Sequence, residues 1–278
     1  MSGPEGMITE TITSAQNAKI KLLLELQEKS RSRREHGLFV VEGRRELGHC
    51  IEAGYEVSTL FVCPEIVPAD ETGGILSAVG DNARVIESPR GIYEKVAYRG
   101  GTEGVLAEVK WRERSLAELK TGDNPLVIIL EGVEKPGNLG AVLRSADAAG
   151  ADAVLICDPL TDLYNPNLIR ASIGAVFTLQ VTCCSSEEAI SWLQARRIKL
   201  FTAQLQDSEW YYDTDMRGAT AIAIGTESTG LTDIWRRNAD AHIRIPMLGR
   251  LDSLNASVSA AILLYEAVRQ RHSGQGAE

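Results

Sequence analysis

"PLVIILEGVEKPGNLGAVLRSADAAG", residues 125–150, begins with an almost unbroken apolar run and ends in a helix of small residues. An apolar stretch of this length between Pro125 and Gly132 is what a parallel strand needs when both its faces are covered. Pro136 and Gly137 then break the chain, and Asn138 suits the cap of the helix that follows. Four further apolar segments recur downstream, "AVLIC" (153–157), "KLFTAQ" (199–204), "TAIAIGTE" (220–227) and "HIRIP" (242–246), with helical stretches between them. The pattern predicts an α/β domain with a parallel sheet covered on both sides. Its ligand is expected outside the carboxyl ends of the strands.

Working outward, residues upstream of 110 alternate in the same way on a smaller scale. A helix is expected through "AQNAKIKLLLELQEKSRSRR", then "LFVVEG", a helix from Arg44, "STLFVC", a helix near "GGILSAVG", "RVIES" and a final strand "EGVLAEV". The charged segment "WRERSLAELKTGDNP" has no long apolar run and reads as a partly helical linker. With 278 residues, two domains are the natural expectation. We place a small α/β domain at 1–110, a linker at 111–124 and the parallel-sheet domain at 125–278.

The chain carries a net charge of -9, which argues against a polyanionic partner on average. From Lys19 to Arg45, however, eight basic residues (Lys19, Lys21, Lys29, Arg31, Arg33, Arg34, Arg44, Arg45) face four acidic ones, a local balance of +4. Such a segment fits either a contact with a polyanion or a solvated helix face. Cys50, Cys63, Cys157, Cys183 and Cys184 form no C-x-x-C pair, and His36, His49, His242 and His272 lie far apart, so no metal is assigned. The opening "MSGPEGMITE" lacks a leader pattern and no run approaches the ~18 residues of a bilayer span; the expectation is a cytoplasmic protein without membrane contact.

Two more unusual stretches follow strands. In "AIAIGTESTGLTD", Gly225 and Gly230 bracket a polar loop with the glycine spacing of a phosphate loop. Leu231 stands where the phosphate-binding Lys belongs, and Glu227 repels anions, so a nucleotide triphosphate site is disfavoured. In "IRIPMLGRLDSLNASVSAAILLYEAVRQR" (243–271) a strand passes through a loop into a helix whose start is polar, with Asp252 or Ser253 available as cap. Arg144, amid small and apolar residues, is a guanidinium in search of a partner.

Taken together, "NLGAVLR", "GTESTG" and "IPMLGRLDSLNAS" resemble the three signature motifs of the SpoU/TrmH family of RNA ribose 2'-O-methyltransferases in the SPOUT superfamily, in order and in placement after strands. The stretch around residues 13–62 looks like that family's substrate-recognition domain. The resemblance implies a deep trefoil knot in the second domain, an exception to unthreaded topology. It further implies S-adenosylmethionine as methyl donor and a homodimer that builds the site across its interface. Gly225, Thr226, Glu227, Gly230, Ile245, Met247, Leu254 and Asn255 match donor-binding positions. Asn138, Arg144, Glu227, Ser253 and Asn255 match the polar positions of catalysis.

RNA is then the partner, ribosomal RNA ahead of transfer RNA, with Lys19, Arg31, Arg33, Arg34, Arg44 and Arg45 as candidate phosphate contacts. The sequence departs from the family at Ser228 and Thr229, where Gly-Lys is common, and at Ala256, where Val is common. Two other readings stand beside this one: an RNA-binding relative without catalysis, and an unrelated nucleotide-binding α/β enzyme.

Overall fold

The structure, a computed structural model, describes residues 8–98, 103–250 and 253–273. Two compact units emerge: one from the chain up to Arg112 together with Asp162–Thr178, the other from Glu113–Thr161 and the chain from Leu179 onward. Of the linker region, Trp111 and Arg112 fall in the first unit and the rest in the second, where Leu116–Glu118 form a single 3-10 turn.

The first unit runs β1 (Ile8–Thr11), α1 (Ala18–Glu28), α2 (Ser30–His36), β2 (Leu38–Glu42), α3 (Arg44–Glu52), β3 (Val57–Val62), α4 (Ala69–Val79), β4 (Arg84–Glu87), α5 (Arg90–Val96) and β5 (Val105–Lys110). Its sheet has the order β1-β4-β3-β5-β2, with β5 antiparallel to both neighbours. Ile20, Leu23 and Leu26 of α1 pack onto Val40, Phe61, Ile86 and Leu106.

The single helix expected over residues 15–34 is in fact two. Lys29 adopts extended geometry between α1 and α2, which turns Arg33 inward. Arg33 is then 1% exposed; its Nη1 donates to Leu26 O at 2.6 Å, and its Nη2 pairs with Asp162 at 2.6 Å. It serves as a cap on the open carbonyls of α1 and as half of a buried ion pair. This removes Arg33 from the set of residues expected to touch RNA.

The second unit begins with β6 (Leu126–Glu131), α6 (Pro136–Ala148) and β7 (Ala153–Cys157). After α7 (Pro166–Ser172) and α8 (Ala175–Thr178), which belong to the first unit, it continues with β8 (Val181–Cys184), α9 (Ser186–Ala195), β9 (Lys199–Ala203) and β10 (Glu209–Trp210). It closes with β11 (Thr220–Ile224), α10 (Asp233–Asn238), β12 (Ala241–Arg244) and α11 (Ala256–Ser273). All seven strands are parallel, in the order β10-β12-β9-β11-β6-β7-β8. Every residue of β6 is buried, as its apolar run demands.

Trp192, Leu193 and Trp235 cover one side of this sheet, while α11 packs along α6 and against β6 and β11. From β6 the chain moves one way, to β7 and β8; its other neighbour is β11, reached much later in the chain. Such a reversal opens a crevice at the carboxyl ends of β6 and β11. Among the described residues no helix is long and apolar enough to cross a membrane.

Candidate active site

The crevice is built by three chain segments: the start of α6, the loop after β11 and the entry to α11. Pro136 occupies the first turn of α6 and Lys135 is its cap, so the helix starts before Asn138. Asn138 is therefore not the cap expected from sequence. Its amide, released from capping, reaches across to the loop after β11.

Glu227 is the hub. Its Oε1 accepts from Asn138 Nδ2 at 3.0 Å and from Asn255 Nδ2 at 2.8 Å, and its Oε2 accepts from Lys135 Nζ at 3.1 Å. The backbone N–H of Ala256 also points at Oε1, at 3.5 Å. The Lys135 bond and then the Ala256 amide hold the Glu227 carboxyl below the usual range, which keeps it an acceptor and a poor proton carrier. Because Lys135 is 72% exposed, that pair orders the rim and contributes little stability.

Asn255 has two tasks. Its Oδ1 accepts from Ser257 N at 2.9 Å and Ser257 Oγ at 2.6 Å, and its carbonyl accepts from Ser259 N, so Asn255 caps α11. Its Nδ2 meanwhile binds Glu227 and lies 3.2 Å from Asn138 Oδ1. The polar start of the helix thus caps it and ties it to the other two segments. Of the caps expected from sequence, Asp252 lies outside the described residues, and Asn255 does the work expected of Ser253.

Behind this rim lies a cavity of about 330 Å³, within the ~300–1,000 Å³ range of small-ligand pockets. Gly225, Thr226, Glu227, Gly230, Ile245, Met247, Ser253 and Leu254 line it, bringing together eight of the residues expected at the site. Gly225 is required by close approach: a Cβ there would lie 2.1 Å from the carbonyl carbon of Gly230. The intervening loop is held by Gly230 N donating to Thr226 O at 3.0 Å and Thr229 N donating to Thr226 Oγ1 at 3.0 Å. Thr229, one of the departures from the family pattern, therefore closes the turn on itself. Leu231 is 4% exposed and packs in the core, the opposite of a phosphate-binding Lys.

Asn138 and Asn255 sit at the rim through Glu227. Arg144 stands apart: it is exposed on α6, without a hydrogen-bond or ion-pair partner among the described residues. Sequence reasoning missed Lys135, and it missed Gln204, Leu205 and Gln206 beyond β9, which line the cavity with Arg236. The rule that ligands sit past strand ends, applied to "KLFTAQ", points to these residues. Gln204 and Arg236 stand in the wall with their Oε1 and Nε atoms buried and unpaired, and Ile224, Leu231 and Leu263 give the lining its apolar part beside polar Thr226 and Ser253. That combination fits a ligand with an apolar body and polar groups of both kinds, as S-adenosylmethionine is. Among the described residues no three His, Cys, Asp or Glu side chains converge as a metal site.

The RNA candidates lie on the first unit. Lys19 pairs with Glu10, Arg31 with Glu35 at 2.6 Å, Arg44 with Glu71, and Arg45 with Glu46 at 3.6 Å. Arg34 is exposed, and its side chain has no partner among the described residues.

The sequence profile of the SpoU rRNA Methylase family matches residues 125–265, and that of the MRM3-like substrate binding domain matches 17–107. A 23S rRNA (uridine(2479)-2'-O)-methyltransferase of Streptomyces viridochromogenes is 30% identical over 271 residues, 95% of this chain and 94% of its own. The AdoMet-bound crystal structure of an rRNA methyltransferase from Sinorhizobium meliloti aligns with TM-score 0.87 at 27% identity, covering 95% of this chain and 98% of that one. A crystal structure of an RNA 2'-O ribose methyltransferase aligns with TM-score 0.81 at 38% identity, over 94% and 99%.

Proposed function

The chain belongs to the SpoU rRNA methylase family, and from that premise we propose that it methylates a ribose 2'-hydroxyl of ribosomal RNA with S-adenosylmethionine as donor. The observation that carries the reading is the Glu227 hub, which joins three chain segments at the mouth of the cavity. The donor supplies a methyl group on a sulfonium, already activated for displacement.

The chain's own residues align and polarise. Gly225, Thr226, Gly230, Ile245, Met247 and Leu254 hold the donor, with Gln204 and Arg236 meeting its polar groups. Glu227 fixes the amides of Asn138 and Asn255 in place, and with Ser253 these orient the ribose. Positioning of this kind removes much of the entropic barrier to a two-body reaction. The Arg144 guanidinium, rich in N–H donors, binds phosphate and steadies the 2'-oxygen as its proton leaves.

Assembly and topology complete the proposal. Val258 and Tyr265 leave α11 with an apolar exposed face, 46% and 48% exposed, which supports a homodimer in which Arg144 meets substrate held by the other copy. Membership of the SpoU family is what supports a trefoil knot in the second unit. Lys19, Arg31, Arg34, Arg44 and Arg45 of the first unit contact RNA phosphates, and the place of action is the cytoplasm, where ribosomal RNA is handled.

The test is to incubate ribosomal RNA with the chain and S-adenosylmethionine and to map ribose methylation along it. A single new 2'-O-methyl site supports the reading. Methyl transfer to a base, or none, contradicts it.

A further inference from the structure

Away from the methyl-transfer site, the first unit contains a second cavity of about 320 Å³ at one end of its sheet. Its floor is Glu108 of β5, 5% exposed, and its Oε1 is buried without any hydrogen-bond partner. An unsatisfied buried acceptor is unfavourable, and more so when it bears charge. The Thr59 hydroxyl bonds the carboxylate, and Arg84 lies near enough to act on its charge. Burial nonetheless wins and pushes the carboxyl above its usual range. Nothing in the fold of this unit calls for an acid here: Leu106, two residues earlier on the same face of β5, packs into the apolar core.

The walls carry the second half of the argument. Arg84 is exposed and its side chain makes no hydrogen bond or ion pair among the described residues, while Lys19 and Lys110 stand at the edge in surface pairs with Glu10 and with Glu56, itself part of the wall. Arg84, the cation of this wall that the described residues leave outside an ion pair, above a buried acceptor matches a nucleotide: phosphate outside, base inside. Single-stranded RNA is read in this way, by bases turned out of the stack and bonded along their edges. The acceptor selects the base. A carboxylate needs N–H donors, and guanine alone among the four bases offers two adjacent ones, at N1 and N2, with no acceptor between them. Adenine and cytosine each set a repelling ring nitrogen beside their amino group, and uracil flanks its one N–H with two carbonyls.

We propose that this cavity binds an unpaired guanosine of the RNA substrate, with Glu108 accepting from the guanine edge and Arg84 meeting its phosphate. The proposal rests on the reading of the chain as an RNA methyltransferase and adds to it a base-reading pocket separate from the site of reaction.

The experiment measures fluorescence anisotropy of the full chain with labelled uridine pentamers that carry one central guanosine, inosine or adenosine. The wild type is expected to bind the guanosine oligomer about tenfold more tightly than either of the others, inosine having lost the N2 donor. Glu108→Gln should level the three, and Arg84→Ala should weaken all three alike while the preference remains. Equal binding of the three by the wild type, as for a cavity that holds only water, overturns the proposal, and so does a preference that survives Glu108→Gln. The wild-type comparison needs no variant and stands whatever the variant's stability. Methylation of ribosomal RNA without a guanosine preference would remove the pocket alone; a preference without methylation would remove the proposed reaction alone.

Discussion

Gly225→Ala is a one-methyl perturbation whose effect can be worked from the backbone. The added Cβ would lie 2.1 Å from Gly230 C, 2.3 Å from Gly230 O and 2.3 Å from Leu231 N. Ordinary contact begins near 3.4 Å, so the two segments must part by 3.4 − 2.1 = 1.3 Å, and no flexible side chain is there to yield. Overpacking of this kind costs about 1–3 kcal/mol, and loss of the Gly230–Thr226 hydrogen bond adds about 1 kcal/mol. The total of roughly 2–4 kcal/mol corresponds to a melting temperature lower by roughly 4–16 °C in a unit of this size. The same displacement opens the wall that carries Thr226 and Glu227, so donor affinity should fall by more than tenfold. Gly230→Ala is the control: its φ of +68° is strained for Ala, but nothing lies within 4 Å of the new methyl, and the strain is about 1–2 kcal/mol. Calorimetric titration with S-adenosylmethionine, paired with thermal melts of both variants, decides the matter. Gly225→Ala with donor affinity within twofold of wild type would refute the reasoning.

Three other outcomes are expected. Arg33→Ala leaves Asp162 buried without its partner and should destabilise the chain by about 3–5 kcal/mol in a denaturant titration; a loss below about 1 kcal/mol would mean that the pair is not formed. Asn255→Asp keeps the cap on α11 but turns the donor 2.8 Å from Glu227 into a second anion, so methyl transfer should drop more than tenfold with little change in melting temperature; normal turnover would show that the hub is not needed. The Glu108 carboxyl is raised in the folded chain, which therefore holds its proton more tightly than the unfolded chain does. Its favourable contribution is complete below the unfolded value of ~4.3 and is lost as pH rises through the folded value. Glu108→Gln should then melt higher than wild type at pH 7 to 8 and converge with it towards pH 4, and a gap independent of pH would contradict the assignment.

How much of this was legible beforehand depended on how local each cause was. The β6 run, buried on both faces, declared itself because two-sided burial leaves a continuous apolar string. Gly225 and Gly230 marked a loop, but only the folded backbone reveals that they touch. Asn138 looked like a cap because Pro136 and Gly137 read as a break, whereas Pro136 is tolerated inside the first turn and starts the helix earlier. Arg33 stood in a basic stretch that suggested phosphate; its partner Asp162 is 129 residues away, beyond any local pattern. The same holds for α7 and α8, which by sequence follow β7 yet join the first unit. The short strands β1 and β10 and the helix α5 carry too few periodic residues to stand out, and Gln204 needed the sheet order before its place at a strand end meant anything.

The central claim is that the residues around Glu227 and Arg144 carry out methyl transfer to ribose, and Arg144→Ala tests it most directly. Arg144 is exposed and outside the donor cavity, so its removal should leave the fold and the affinity for S-adenosylmethionine within a few fold of wild type. Labelled methyl transfer to ribosomal RNA, measured beside donor binding, should fall below detection in the variant and persist in the wild type. Turnover near the wild-type rate in Arg144→Ala, with donor binding intact, would contradict the account.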